Sequence, residues 1–160
     1  MQTGGNPEGS ADTSDAVVDA HTHVACGDQE RFPMAPTGVG SDWWHDGRGT
    51  AEDLVAEMDG TGPDRAVSQA VVVQAVGVYG HDCACAADAV RRHPDRLALV
   101  MSVDMDDPDP DAVLDRRVAD IGVPVAGVRL FGVGTQAPTW VHDGRGSAVM
   151  AAAGEHGLTV

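Results

Sequence analysis

Lysine is absent from this 160-residue chain: all ten basic residues are arginines, and 25 acidic residues leave a formal charge of -15. A surface this acidic speaks against nucleic acid and anionic membranes as partners, since both carry the same sign. A dense acidic shell also suits concentrated salt, which screens its self-repulsion, although genomic base composition explains missing lysine more plainly. Long apolar runs are missing too, and nothing approaches the length of a membrane span. The first residues lack the basic-then-apolar pattern of a secretion signal, so a cytoplasmic protein is expected. Cysteine is scarce. Cys26, Cys83 and Cys85 are an odd number without a small-domain disulfide pattern, which suits a reducing compartment. No second pair accompanies Cys83-x-Cys85, so these two read as small apolar fillers at the start of a helix rather than as a metal cluster.

What is present is enough for one ordinary domain, with 42% hydrophobic residues to build its core. Residues 1–15, rich in Gly, Asn, Pro, Ser and Asp, read as a disordered tail, and 16–160 as the folded part. Within Val17-Val18-Asp19-Ala20-His21-Thr22-His23-Val24, a β-strand would project Asp19, His21 and His23 together and Val18, Ala20 and Val24 to the other side. Two imidazoles at this spacing can reach one divalent metal, with the carboxylate holding an imidazole in the tautomer that ligation needs. A pair of hydrogen-bonded, partly buried histidines is the plainer alternative.

Residues 25 to 49 form a long irregular segment with Pro33, Pro36 and Trp43-Trp44, the tryptophans serving either as a pocket wall or as cover for the core edge. Thr50, with Asp53 three residues on, caps a helix whose stripe is Leu54, Val55 and Met58. Ala70-Val71-Val72-Val73 reads as a strand buried on both faces, followed by Gln74 and a polar turn, Tyr79-Gly80-His81-Asp82. A helix near 83–92 and an apolar strand over Leu97–Val103 follow, ending at Asp104. Pro110 opens a helix carrying Leu114, Val118 and Ile121 and stopped by Gly122. Val125–Phe131 is a fourth strand, a loop with Trp140 and His142 leads to a helix from Ser147 to His156, and the last four residues begin a fifth strand. Alternating buried strands and helices imply right-handed βα units on a parallel sheet, with ligands at the carboxyl ends of the strands.

Val17-Val18-Asp19-Ala20-His21-Thr22-His23, Glu57-Met58-Asp59 leading into Asp64-Arg65-Ala66-Val67, Arg92-His93-Pro94-Asp95-Arg96 and Gly127-Val128-Arg129-Leu130 resemble, in order, the amidohydrolase-related (amidohydrolase 2) family. The nearer branch is that of the metal-dependent TIM-barrel hydrolases, lactonases of pyrone dicarboxylates among them. The resemblance implies the N-terminal half of a (β/α)8 TIM barrel, about four βα units plus the start of strand five. It also implies His21 and His23 as ligands of zinc or manganese, a metal that the half chain need not retain. Arg129 would meet a substrate carboxylate, with Gln74 and Tyr79 lining the pocket. The implied activity is hydrolysis of a lactone ester or amide bond in a small carboxylate. A related decarboxylase, or an inactive half-barrel that self-associates through open sheet edges, is the alternative. A full barrel needs about 250 residues, and the family's catalytic base comes from strands beyond these, so none is assigned here. His81, Asp104 and His142, on the same expected rim, could substitute for the missing ligands but are not assigned that role, since loop histidines are more often solvated than ligating.

Overall fold

The computed structural model describes residues 17–37, 44, 49–60, 66–132 and 138–160; the expected tail and Trp43 lie outside them. The strands are β1 (Val17–Thr22), β2 (Val67–Val73), β3 (Leu97–Ser102) and β4 (Val125–Arg129). They make one sheet in the order β1-β2-β3-β4, every pair parallel. The helices are α1 (Ala51–Gly60), α2 (Val76–Tyr79), α3 (Ala84–Arg92), α4 (Pro110–Asp120) and α5 (Arg145–Glu155). Strand order that follows chain order, with a helix in every crossover, is the repeated βα pattern that the alternation of apolar runs and helical stripes predicts.

Local chemistry sets the boundaries. Thr50 and Asp53 form a reciprocal cap on α1: the Asp53 N–H donates to Thr50 Oγ1 at 3.1 Å and the Thr50 N–H to Asp53 Oδ2 at 3.1 Å. Pro110 lies in the first turn of α4, where its missing N–H costs nothing, and Gly122 at φ +69° closes the segment after it. An element with no sequence signal is α2, a single turn where an extended stretch running into a polar turn is expected; Gly80 at φ +56° ends it. The fifth strand begins as expected, with Thr159 bridging Gly127.

Residues alternate across the sheet. Ala70, Val72, Leu97, Leu99, Met101 and Val128 are buried under the helices with Leu114, Val149 and Ala153. Val71, Val100 and Arg129, on the opposite face, are only partly covered. At the β1 edge Val17 and Val18 are 45% and 50% exposed, so that edge has no strand beside it among the described residues.

The cysteine expectation is corrected. Cys26 and Cys85 form a disulfide across a sequence separation of 59, tying the segment after β1 to the first turn of α3. Only Cys83 behaves as the apolar filler expected of it: it is free and buried, and burial pushes its thiol pKa up. Asp88, also on α3 and buried, gathers Arg31 at 2.9 Å and Arg92 at 2.9 Å, so the same segment is held by charge as well. Trp44 is buried in the core, which favours its reading as core cover.

Candidate active site

The carboxyl ends of the four strands bring the motif residues to one rim. His21 and His23 turn their Nε2 atoms toward each other at 3.4 Å. Two nitrogens bonded to one tetrahedral metal at about 2.0–2.1 Å would lie roughly 3.3 Å apart, so the pair has the separation of two metal ligands. His23 Nδ1 sits 2.8 Å from the Val73 carbonyl; a carbonyl only accepts, so Nδ1 carries the proton and Nε2 presents its lone pair. Burial, more than the opposing bond to Val73, holds the His23 pKa below its ordinary value and keeps the ring neutral, as ligation requires. The residue that fixes the imidazole is therefore Val73 of β2. Asp19, expected to do so, instead accepts from the His21 backbone N–H at 3.0 Å. Among the described residues no group of three or more His, Cys, Asp or Glu converges as a metal site, so these histidines would supply part of a coordination shell.

Arg129 ends β4. Its guanidinium lies over the Phe131 ring, 4.7 Å from the centroid, and one Nη donates to the Gln74 carbonyl at 3.4 Å. It thus reaches back across β3 toward β2, near enough to His23 for its charge to help lower that histidine's pKa. Partial burial lowers the Arg129 pKa somewhat, but a guanidinium stays charged at neutral pH.

Two imidazoles and a half-buried arginine at the carboxyl ends of parallel strands is where α/β folds of this type hold ligands. No family model matches the chain, and no curated protein matches it. Solved structures do. A probable 2-pyrone-4,6-dicarboxylic acid hydrolase from Acinetobacter baumannii, with citric acid bound, is 20% identical at a TM-score of 0.59 over 86% of this chain and 46% of that one. The 5-carboxyvanillate decarboxylase of Novosphingobium aromaticivorans, complexed with manganese and 4-hydroxy-3-methoxy-5-nitrobenzoic acid, is 18% identical at 0.61 over 91% and 49%. A 2,6-dihydroxybenzoate decarboxylase from Rhizobium is 16% identical at 0.53 over 89% and 48%. The chain has the fold of half a TIM barrel. These neighbours are members of the amidohydrolase 2 family that the sequence motifs resemble, and the half-barrel spans about half the length of each.

The remaining expected site residues of the half-barrel also hold backbone in place. Gln74 is buried, and its Nε2 donates to the carbonyls of Gly80 at 2.9 Å and Asp82 at 2.8 Å, which pins the turn after α2. Tyr79 is buried, and its Oη accepts the Cys26 N–H at 2.8 Å, fixing the backbone three residues after His23. The Gln74 amide nitrogen and the Tyr79 hydroxyl are thus taken up by backbone groups. His142 is exposed beyond a turn of 3-10 helix over Thr139–Val141. Sequence reasoning missed Ser102 and Arg117. Ser102 Oγ lies 2.7 Å from His81 Nδ1, and Arg117 donates to the carbonyls of both His81 and Ser102. The available signal was a serine closing an otherwise apolar strand.

Proposed function

We propose that the half-barrel carries the first half of the active site of a hydrolase acting on a lactone ester or amide bond in a small carboxylate. The observation that carries this reading is the placement of Arg129 beside the His21–His23 pair on one strand-end rim. A divalent metal, zinc or manganese, held in part by His21 and His23 would polarise a carbonyl or activate water. The chain's own residues bind and orient. Arg129 offers a planar fork to a carboxylate, and its stacking on Phe131 reduces the freedom it loses on binding. The Val73 carbonyl keeps the His23 lone pair aimed at the His21 side. Gln74 and Tyr79 support the loops that carry these groups and act as positioning residues. The fold neighbours support the ligand class, since one holds citric acid and another a nitrobenzoic acid with manganese.

Decarboxylation of an aromatic acid is the second reading, favoured by the two decarboxylases among the neighbours. A third is an inactive half-barrel that pairs with a second copy through the β1 edge, where Val17 and Val18 are exposed. A cytoplasmic location belongs to this proposal and predicts that Cys26 and Cys85 are reduced in cells; finding the bridge formed there would contradict it. Citrate titrated into the chain by calorimetry tests the leading reading. Arg129→Met should weaken binding by tenfold or more, about 1.5–3 kcal/mol for a charge-assisted bond. Unchanged affinity would remove Arg129 from the site.

A further inference from the structure

The turn that carries His81 is held far more firmly than a solvent loop needs. Gln74 ties the carbonyls on either side of it, Gly80 and Asp82, and Arg117 ties the carbonyls of His81 and Ser102. The ring is fixed as well. Ser102 is completely buried, and the imidazole Nδ1 at 2.7 Å is the one partner of its hydroxyl among the described residues. A buried hydroxyl must donate its hydrogen, so Ser102 donates, Nδ1 accepts, and the neutral ring carries its proton on Nε2. That Nε2–H lies 3.9 Å from Asp104 Oδ1, too far for a direct hydrogen bond; Oδ1 accepts the Asp106 N–H at 2.9 Å and keeps a second lone pair.

A donor and a carboxylate acceptor so placed accommodate one oxygen between them, at about 2.8 Å from each, that accepts from the first and donates to the second. A hydroxyl meets that requirement. A second carboxylate does not, because Asp104 would repel it. The spot also shares a sheet face with the carboxylate-binding group. Ser102 and Arg129 are register partners on β3 and β4, so their side chains leave the same face of the sheet, with the strands about 4.8 Å apart. We propose that His81 and Asp104 bind a hydroxyl group of the ligand whose carboxylate Arg129 holds, which makes the preferred substrate a hydroxy-carboxylic acid, with Ser102 as the residue that sets the His81 tautomer. This rests on the carboxylate role of Arg129 and extends it to the substrate's second functional group.

The test compares citrate with propane-1,2,3-tricarboxylate, the same acid without its hydroxyl, by calorimetry on the full chain. The wild type should bind citrate about tenfold more tightly. His81→Phe, which keeps a ring but no donor, should bring the two affinities together, and His81→Gln, which restores an N–H near the Nε2 position, should recover the preference. In 1H–15N spectra of the ligand-free wild type, His81 should be protonated on Nε2, and Ser102→Ala should populate both tautomers. Equal affinities in the wild type, a preference that survives His81→Phe, or an Nδ1-protonated His81 would overturn the proposal. If Arg129→Met still weakens both acids in that case, the carboxylate site stands without the hydroxyl site. If the wild type binds neither acid, both fall together.

Discussion

Removing the Cys26–Cys85 disulfide should destabilise the half-barrel and loosen the segment that follows the His21–His23 pair. The bridge closes a loop with a sequence separation of 59. The chain-entropy relation assigns such a loop about 4 kcal/mol at 25 °C, within the usual range of roughly 2–4 kcal/mol. Other contacts hold the same segment: Tyr79 Oη takes the Cys26 N–H, and Arg31 pairs with Asp88. These survive reduction and keep the segment folded, while the freedom it regains in the native state offsets part of the entropy term, so a loss of about 3 kcal/mol is expected, or roughly 6–12 °C in Tm for a domain of this size. The assay is urea unfolding of the oxidised chain, of the same chain in dithiothreitol, and of a Cys26→Ala/Cys85→Ala double variant. The reduced and variant proteins should share a lower midpoint, and reductant should leave the variant unmoved. Thiol titration of the denatured, unreduced wild type should find one thiol, that of Cys83. Three thiols, or identical midpoints with and without reductant, would refute the reasoning.

Gly127→Val should cost about 1–3 kcal/mol, because a Cβ there would sit 2.7 Å from the Thr159 carbonyl oxygen that begins the fifth strand; an unchanged urea midpoint would mean that Thr159 is not packed against β4. Burial is the main cause that lowers the His23 and His81 pKa values from 6.5. Below that value the unfolded chain takes up protons first, so their contribution to stability is complete above pH 6.5 and is lost as the pH falls through the lowered folded values. A His23→Asn/His81→Gln double variant should therefore lose less stability than the wild type between about pH 7.5 and 5.5, and equal losses would contradict the burial of the two rings.

Much of this fold is legible in the chain because its signals are local. Ala70 to Val73 and Leu97 to Met101 are apolar without interruption, as strands covered on one face by helices and on the other by a barrel interior must be. Pro110, Gly122 and the Thr50–Asp53 cap mark their helices through backbone chemistry that needs no tertiary partner. The candidate site is legible only where spacing along one strand decides it, as for His21 and His23. Pairings between distant segments carry no local trace. Nothing near Cys26 or Cys85 says that the loop after β1 crosses the start of α3, and nothing near Ser102 says that a loop histidine folds over it. Gln74 and Tyr79 show a further limit: a polar residue at a strand end is equally able to face a ligand or to hold its neighbour's backbone. Here their hydrogen bonds go to Gly80, Asp82 and Cys26. Asp19 is the same case at shorter range, since it bonds the backbone of His21 rather than an imidazole.

The most direct measurement is histidine imidazole NMR during titration with substoichiometric manganese. Paramagnetic broadening should appear first at His21 and His23 while His156, paired with Asp115 between α4 and α5, stays sharp, and His21→Ala should abolish the selectivity. Broadening spread evenly over the histidines, or none at His21 and His23, would contradict a metal-assisted site at this rim.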